Sequence, residues 1–148
     1  MVRKPTQTAM QPKQMTQQDY AALAAFRRSL REFQAFSEDA ARTAGLTPQQ
    51  HQALLAIRGF GADRGITVGD LAHHLLLRHH TAVGLVDRLV RASLVVRTHD
   101  EGDRRRVLLT LTARADKVLT KLSATHLMEM RRNAPELVKL IRRFSAKG

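Results

Sequence analysis

Residues 67–112 read TVGDLAHHLLLRHHTAVGLVDRLVRASLVVRTHDEGDRRRVLLTLT, and the spacing of their apolar residues changes along the way. In Thr67-Val68-Gly69-Asp70 a hydroxyl stands three residues before an acid, so each side chain can satisfy a backbone N–H that a starting helix leaves free. The helix it opens is short, running through Leu71 and Ala72 to about Leu75. After a tight turn, Ala82, Leu85, Val86, Leu89 and Val90 recur at steps of three and four and mark one buried face. His80, Gly84, Arg88 and Arg91 fall on the other face. Beyond them, Leu94-Val95-Val96-Arg97 and Val107-Leu108-Leu109-Thr110-Leu111 are β-prone runs flanking a charged loop from His99 to Arg106, which predicts a hairpin with a basic tip.

Helix, turn, helix, hairpin is the order of a winged helix-turn-helix, in which the second helix fits the width of the DNA major groove. Upstream, Leu23, Phe26, Leu30, Phe33 and Phe36 line one side of a helix from Asp19 to about Arg42. Gly45 breaks that pattern, and Thr47-Pro48-Gln49-Gln50 starts a second helix that runs into the glycine-rich segment Gly59 to Gly65. Downstream, Thr112 caps a long helix with Val118, Leu119, Leu122, Leu127 and Met130 on its apolar side. Asn133-Ala134-Pro135-Glu136 predicts a stop and a restart into a short last helix ending near Phe144. The expected fold is therefore mainly α (α+β): a flexible basic arm over residues 1–18, then a single unit over 19–148 whose winged lobe spans 46–112 between long helices at 19–45 and 113–144.

Composition narrows the function. The 148 residues carry 25 Lys and Arg against 13 Asp and Glu, a formal net charge of +12, which calls for a polyanionic partner. Every long apolar stretch is interrupted by charge, so no membrane partner is expected. The N-terminus has Arg3, Lys4 and Lys13 but no apolar core of a secretory signal, which predicts a cytoplasmic protein. The absence of cysteine excludes disulfides, thiolate metal sites and thiol redox switching. His73, His74, His79 and His80 lie close together, but no carboxylate or cysteine at ligand spacing joins them, so neither a metal nor a cofactor is expected. No nucleophile paired with a base, phosphate loop or apolar-set carboxylate pair supports an enzyme.

The stretch Leu71-Ala72-His73-His74-Leu75, then Arg78-His79-His80-Thr81-Ala82-Val83, Leu85-Val86-Asp87-Arg88-Leu89 and Leu94-Val95, followed by Asp103-Arg104-Arg105-Arg106 ahead of Leu109-Thr110-Leu111-Thr112, resembles the MarR family of regulators. The resemblance runs from about residue 19 to 144, and its most specific part is the Asp-x-Arg wing ending in Leu-Thr. It implies a homodimer with interleaved terminal helices, whose two lobes read the halves of a pseudo-palindromic operator on double-stranded DNA. It also implies repression relieved by a small, aromatic or amphipathic effector. Arg105 would then be the wing arginine that enters the minor groove, braced by Asp103, with Asp87 and Arg88 close enough to join the network. Two positions depart from the family pattern: Leu76 stands where the turn often has glycine, and Ser93 where glycine usually closes the recognition helix, at a cost of about 1 kcal/mol. Arg78 stands where a capping serine is common.

From the residues themselves, Arg78, His80, Thr81, Gly84 and Arg88 are the candidates on the recognition helix. Arg78 can grip guanine bidentately, Thr81 can bond a base edge or phosphate, and Gly84 clears space for backbone approach. Arg104, Arg105 and Arg106 suit phosphate and minor-groove contact. Leu23, Phe26, Leu30, Val118, Leu122, Leu127 and Met130 are the candidate dimerisation residues, since their stripes exceed what one small lobe needs; an intramolecular bundle is the alternative use. Phe26, Phe33, His51 and Leu54 are candidates for an effector site, with core packing as the alternative. The competing function is a nucleoid-type protein that coats DNA without a preferred site, which the charge also suits.

Overall fold

The computed structural model describes residues 14–146. The basic stretch with Arg3, Lys4 and Lys13 lies outside the described residues. The chain forms α1 (Gln17–Thr43), α2 (Pro48–Gly61), α3 (Val68–His74), α4 (His79–Arg91), β1 (Val95–His99), β2 (Val107–Leu111) and α5 (Ala113–Ser145). It is a helix-rich winged helix-turn-helix, with β1 and β2 paired antiparallel from Val95 opposite Leu111 to His99 opposite Val107.

Local chemistry sets the starts. Thr47 with Gln50 and Thr67 with Asp70 form reciprocal capping boxes at α2 and α3, as their spacing predicts, and each hydroxyl cap contributes about 1 kcal/mol. A third box brings α1 in two residues earlier than expected: Thr16 Oγ1 accepts from the Asp19 N–H at 3.2 Å, and Asp19 Oδ2 accepts from the Thr16 N–H at 3.0 Å. The recognition helix α4 has no such support, since Arg78 makes no side-chain capping bond.

The turns carry strain where the sequence departs from glycine. Leu76 at φ 54° and Ser93 at φ 56° both sit in the left-handed region, and Ala62 joins them at φ 48°. Gly65, at φ 88°, is required twice over: a Cβ there would lie 2.4 Å from the Leu109 carbonyl oxygen. That close approach lets Ile66 bridge to Leu109, adding a third backbone segment to the hairpin that the sequence did not announce.

The core lies inside the winged lobe. Leu54 and Ile57 of α2, Leu71 of α3, Leu85, Val86 and Leu89 of α4, Val95 of β1 and Leu109 of β2 are all fully buried. The first turns of α5 complete it with Ala115, Leu119 and Leu122. Leu122 therefore belongs to the lobe's own core, and Val118 packs against that core, so neither lies on an unpartnered stripe as expected. The reason is geometric: α5 begins at the wing, where Thr112 Oγ1 donates to the Ser93 carbonyl at 2.8 Å, and its first three turns cannot leave the lobe.

Farther along, α5 runs antiparallel to α1. Phe26 meets Phe144 edge-on at 5.9 Å, and Arg143 donates to the side chain of Gln18 at 3.0 Å. The expected break at Asn133-Ala134-Pro135-Glu136 does not occur, because α5 continues through Pro135 to Ser145. A proline inside a helix removes one backbone bond and crowds the preceding turn. Beyond the proline α5 stays against α1 through the Phe26–Phe144 and Arg143–Gln18 contacts, while Met130 and Leu137 face Leu30 and Phe33 across a cavity. This pair leaves much apolar surface open: Leu23, Leu30, Leu127, Met130 and Ile141 are each 42% to 53% exposed.

Candidate nucleic-acid interface

Helix α4 separates its two faces cleanly. Ala82, Leu85, Val86 and Leu89 are buried, while Arg78, His79, His80 and Arg88 are exposed and Thr81 and Gly84 half-buried. A Cβ on Gly84 would meet only the tip of the Arg88 guanidinium, at 3.6 Å. The fold itself does not require glycine there, so the missing side chain leaves room on the outer face. The first turn of α4 has backbone N–H groups without a side-chain cap, next to the cation Arg78, an arrangement that favours an anion such as phosphate.

The wing is built around an acid that sequence reasoning passed over. Asp100 is buried, with 8% of its side chain exposed, and sits within 3.7 Å of the Arg64 guanidinium and 3.5 Å of that of Arg106. Its Oδ1 accepts from the Gly102 N–H, and its backbone N–H donates to the Arg106 carbonyl. A buried carboxylate stripped of these partners would be costly, so the pairing fixes the base of the wing. Arg106 is thereby held at the base, whereas Arg104 and Arg105 project from the tip. The Arg105 side chain is 93% exposed and its Nε lies 3.3 Å from Asp103 Oδ1, which also accepts from the Arg105 backbone N–H. His99 Nδ1 donates to the Arg104 carbonyl at 2.9 Å and closes the turn from the other side.

Asp87 does not reach the tip arginines. It pairs with Arg97 on β1, tying the recognition helix to the first wing strand. Arg97 was missed because a lone arginine in a short strand carries no pattern of its own. At the lobe's other edge, Asp70 is held below the ordinary carboxylate range, chiefly by hydrogen bonds from the backbone and hydroxyl of Thr67.

The four candidate effector residues do not line one cavity. Leu54 is fully buried in the lobe core, and Phe26 packs on Phe144 at the far end of the α1–α5 pair. Phe33 and His51 do converge, on His126: their rings lie 6.0 Å and 4.8 Å from its ring. His126 donates from Nδ1 to the Leu122 carbonyl, leaving Nε2 to accept from the Ser37 hydroxyl at 2.8 Å. Burial, and then the proximity of His126, push the His51 pKa below its ordinary value. Nearby, a cavity of about 350 Å³ between α1 and α5 is lined by Leu30, Phe33, Met130 and Leu137. Among the described residues no cluster of three or more His, Cys, Asp or Glu has metal-site geometry, and no helix is long and apolar enough to cross a membrane.

Comparison with known proteins follows the same outline. The model of the MarR family matches residues 44–106, the winged lobe from the end of α1 to the wing. The transcriptional activatory protein BadR of Rhodopseudomonas palustris is 40% identical over 68 residues, which cover 46% of this chain and 39% of BadR, so the matched segment spans well under half of that relative. Two solved structures share the fold over most of the chain. A mutant of MepR from Staphylococcus aureus, bound to an oligodeoxyribonucleotide, aligns with a TM-score of 0.62 at 24% identity, covering 87% of this chain and 98% of that one. CouR from Rhodococcus jostii RHA1, bound to p-coumaroyl-CoA, aligns with a TM-score of 0.67 at 23% identity, covering 81% and 85%. The MarR family's pattern thus lies on the winged lobe, residues 44–106, and the winged helix-turn-helix fold of these solved structures extends along the helices on either side of it.

Proposed function

We propose that this protein is a homodimeric transcriptional regulator that reads a pseudo-palindromic operator, one half-site per winged lobe. The observation that carries the reading is the pairing of an amphipathic α4, buried on one side and polar and basic on the other, with a wing whose Arg105 is 93% exposed yet oriented by Asp103. Arg78, His80, Thr81, Gly84 and Arg88 form the major-groove surface, Arg104 and Arg105 reach the minor groove, and Arg106 stiffens the wing from its base. MepR in complex with an oligodeoxyribonucleotide supports DNA as the partner. The half-exposed stripes of Leu23, Leu30, Leu127 and Met130 support a second copy as what covers α1 and α5.

Bound across its operator the dimer acts as a repressor, and a small amphipathic ligand at the junction of helices and lobe releases it by favouring a different lobe spacing. CouR bound to p-coumaroyl-CoA supports a small-molecule partner, and the cavity beside Phe33 offers the space. The second reading, a protein that coats DNA without site preference, rests on the net charge of +12.

Selection of bound duplexes from a random library at physiological salt separates the two. The regulator reading expects an enriched inverted repeat with half-sites about one helical turn apart. Binding that merely fades with salt, without enrichment, supports the coating protein instead.

A further inference from the structure

Helix α5 carries eight Lys and Arg, from Arg114 to Arg143, and all are exposed. At 100° per residue, all eight fall within a sector of about 120° on one side of the helix. The three acids of α5, Asp116, Glu129 and Glu136, fall outside that sector. The result is a predominantly basic stripe about 44 Å long at 1.5 Å per residue, in which Arg132 is paired with Glu129 at 3.2 Å. Its lower end lies beside the winged lobe, where Arg114 donates to the Ala92 carbonyl at 3.0 Å. Its upper end, with Arg131, Lys139 and Arg142, lies about 26 to 42 Å along the helix from Arg114.

Helix-dipole complementarity does not account for the stripe. That effect fades within the last turn, which holds only Arg142 and Arg143. Nor does packing: the side facing α1 carries His126, Met130, Leu137 and Phe144, and the half-exposed Leu127 and Ile141 lie between that side and the stripe. A second copy can therefore cover the apolar stripe and leave the basic one open.

We propose that this stripe holds a second DNA duplex, so that a dimer seated on its operator bridges to another DNA segment. The inference rests on the lobes binding DNA as proposed above. A duplex fits the surface better than the other polyanions do. Duplex DNA presents a phosphate about every 1.7 Å of its axis, so it can meet both groups of cations, Arg114 to Lys121 and Arg131 to Arg143, which lie about 15 Å apart along the helix. A membrane surface would call for apolar side chains interleaved with the cations to enter the lipid, and a single strand would call for aromatic rings to stack on. The sector has no aromatic residue, and its large apolar side chain is Met128.

The test fixes an operator duplex to beads, saturates it with the full-length protein, and measures capture of a labelled operator-free duplex. The comparison variant carries Arg131→Gln, Lys139→Gln and Arg142→Gln, three positions on the upper stripe that retain side-chain length. Wild type should capture the second duplex, and the variant about tenfold less, with a salt slope lower by about three units, while operator affinity stays within about twofold. Circular dichroism checks that α5 is intact, and Lys139→Glu alone serves as a milder variant if the triple fails to fold. Equal capture by variant and wild type would overturn the proposal, because bridging would then run through the lobes. Capture of no second duplex, protection extending along the operator's own flanks instead, or stronger capture of phosphatidylglycerol vesicles than of duplex would also overturn it. Failure of wild type to bind the first duplex at all would count against the lobe reading itself.

Discussion

The winged lobe and the α1–α5 pair are made from similar amounts of apolar sequence and end in different states. In the lobe, Leu54, Leu71, Leu85, Leu89 and Leu109 are sealed from water within one chain. In the helix pair, Leu23, Leu30, Leu127, Met130 and Ile141 stay about half open. At roughly 25 cal/mol per Å² of apolar surface removed from water, covering such stripes is worth several kcal/mol to whatever binds there. One region is complete alone and the other leaves an apolar face open to water. The difference teaches that periodicity reveals an apolar face but not whether its own chain or a second one covers it.

The largest expected effects lie in the lobe. Leu89→Ala should lower unfolding stability by about 2–5 kcal/mol, with little dependence on protein concentration in a urea titration. Leu30→Ala should act differently, weakening self-association so that the melting temperature becomes more sensitive to concentration. Equal, concentration-independent losses at both positions would break the comparison. Gly65→Ala should cost about 2–3 kcal/mol through backbone strain and the collision with the Leu109 carbonyl; a neutral result would mean that the Ile66 bridge yields easily.

On the DNA side, Arg105→Ala should weaken operator binding by about 1–3 kcal/mol and lower the salt slope by about one unit. An unchanged slope would remove the exposed wing tip from the contact surface. Ser93→Gly should stabilise the lobe by about 1 kcal/mol by relieving the left-handed strain after α4, read as a rise in the urea midpoint.

The smallest effect is one of pH, at the joint between the two regions. His51 has a folded pKa below its unfolded one, so the unfolded chain binds the extra proton first. Its contribution is full above the unfolded value near 6.5 and is lost as pH falls from there through the lower folded value. Melting temperature should therefore drop between pH 7 and pH 5.5, and His51→Gln should flatten that drop. A parallel decline in both proteins would assign the effect to other groups.

What the sequence revealed was local. The boxes at Thr47 and Thr67, the alternation of faces on α4 and the uncapped Arg78 are all written within a few residues of where they act. So are the unusual turns, since a non-glycine residue at Leu76 or Ser93 has to adopt φ near +55° for the chain to turn there. The misreadings were tertiary. Pro135 signals a break, but α5 continues through it to Ser145 alongside α1. Leu122 continues an apolar stripe, but the lobe takes it. Asp100 looks like one more charge in a polar loop until Arg64, from a different part of the chain, comes to within 3.7 Å. The His51–His126 contact joins residues on two helices that no short-range pattern connects.

Whether the α1–α5 pair is covered by a second copy is tested most directly by sedimentation equilibrium of the 148-residue chain. The predicted mass is twice the 16.6 kDa of one chain, falling toward the monomer value on dilution of the Leu30→Ala variant. A wild-type protein that sediments at 16.6 kDa across micromolar concentrations would contradict it, and would mean that the open stripes of α1 and α5 serve something other than a second copy.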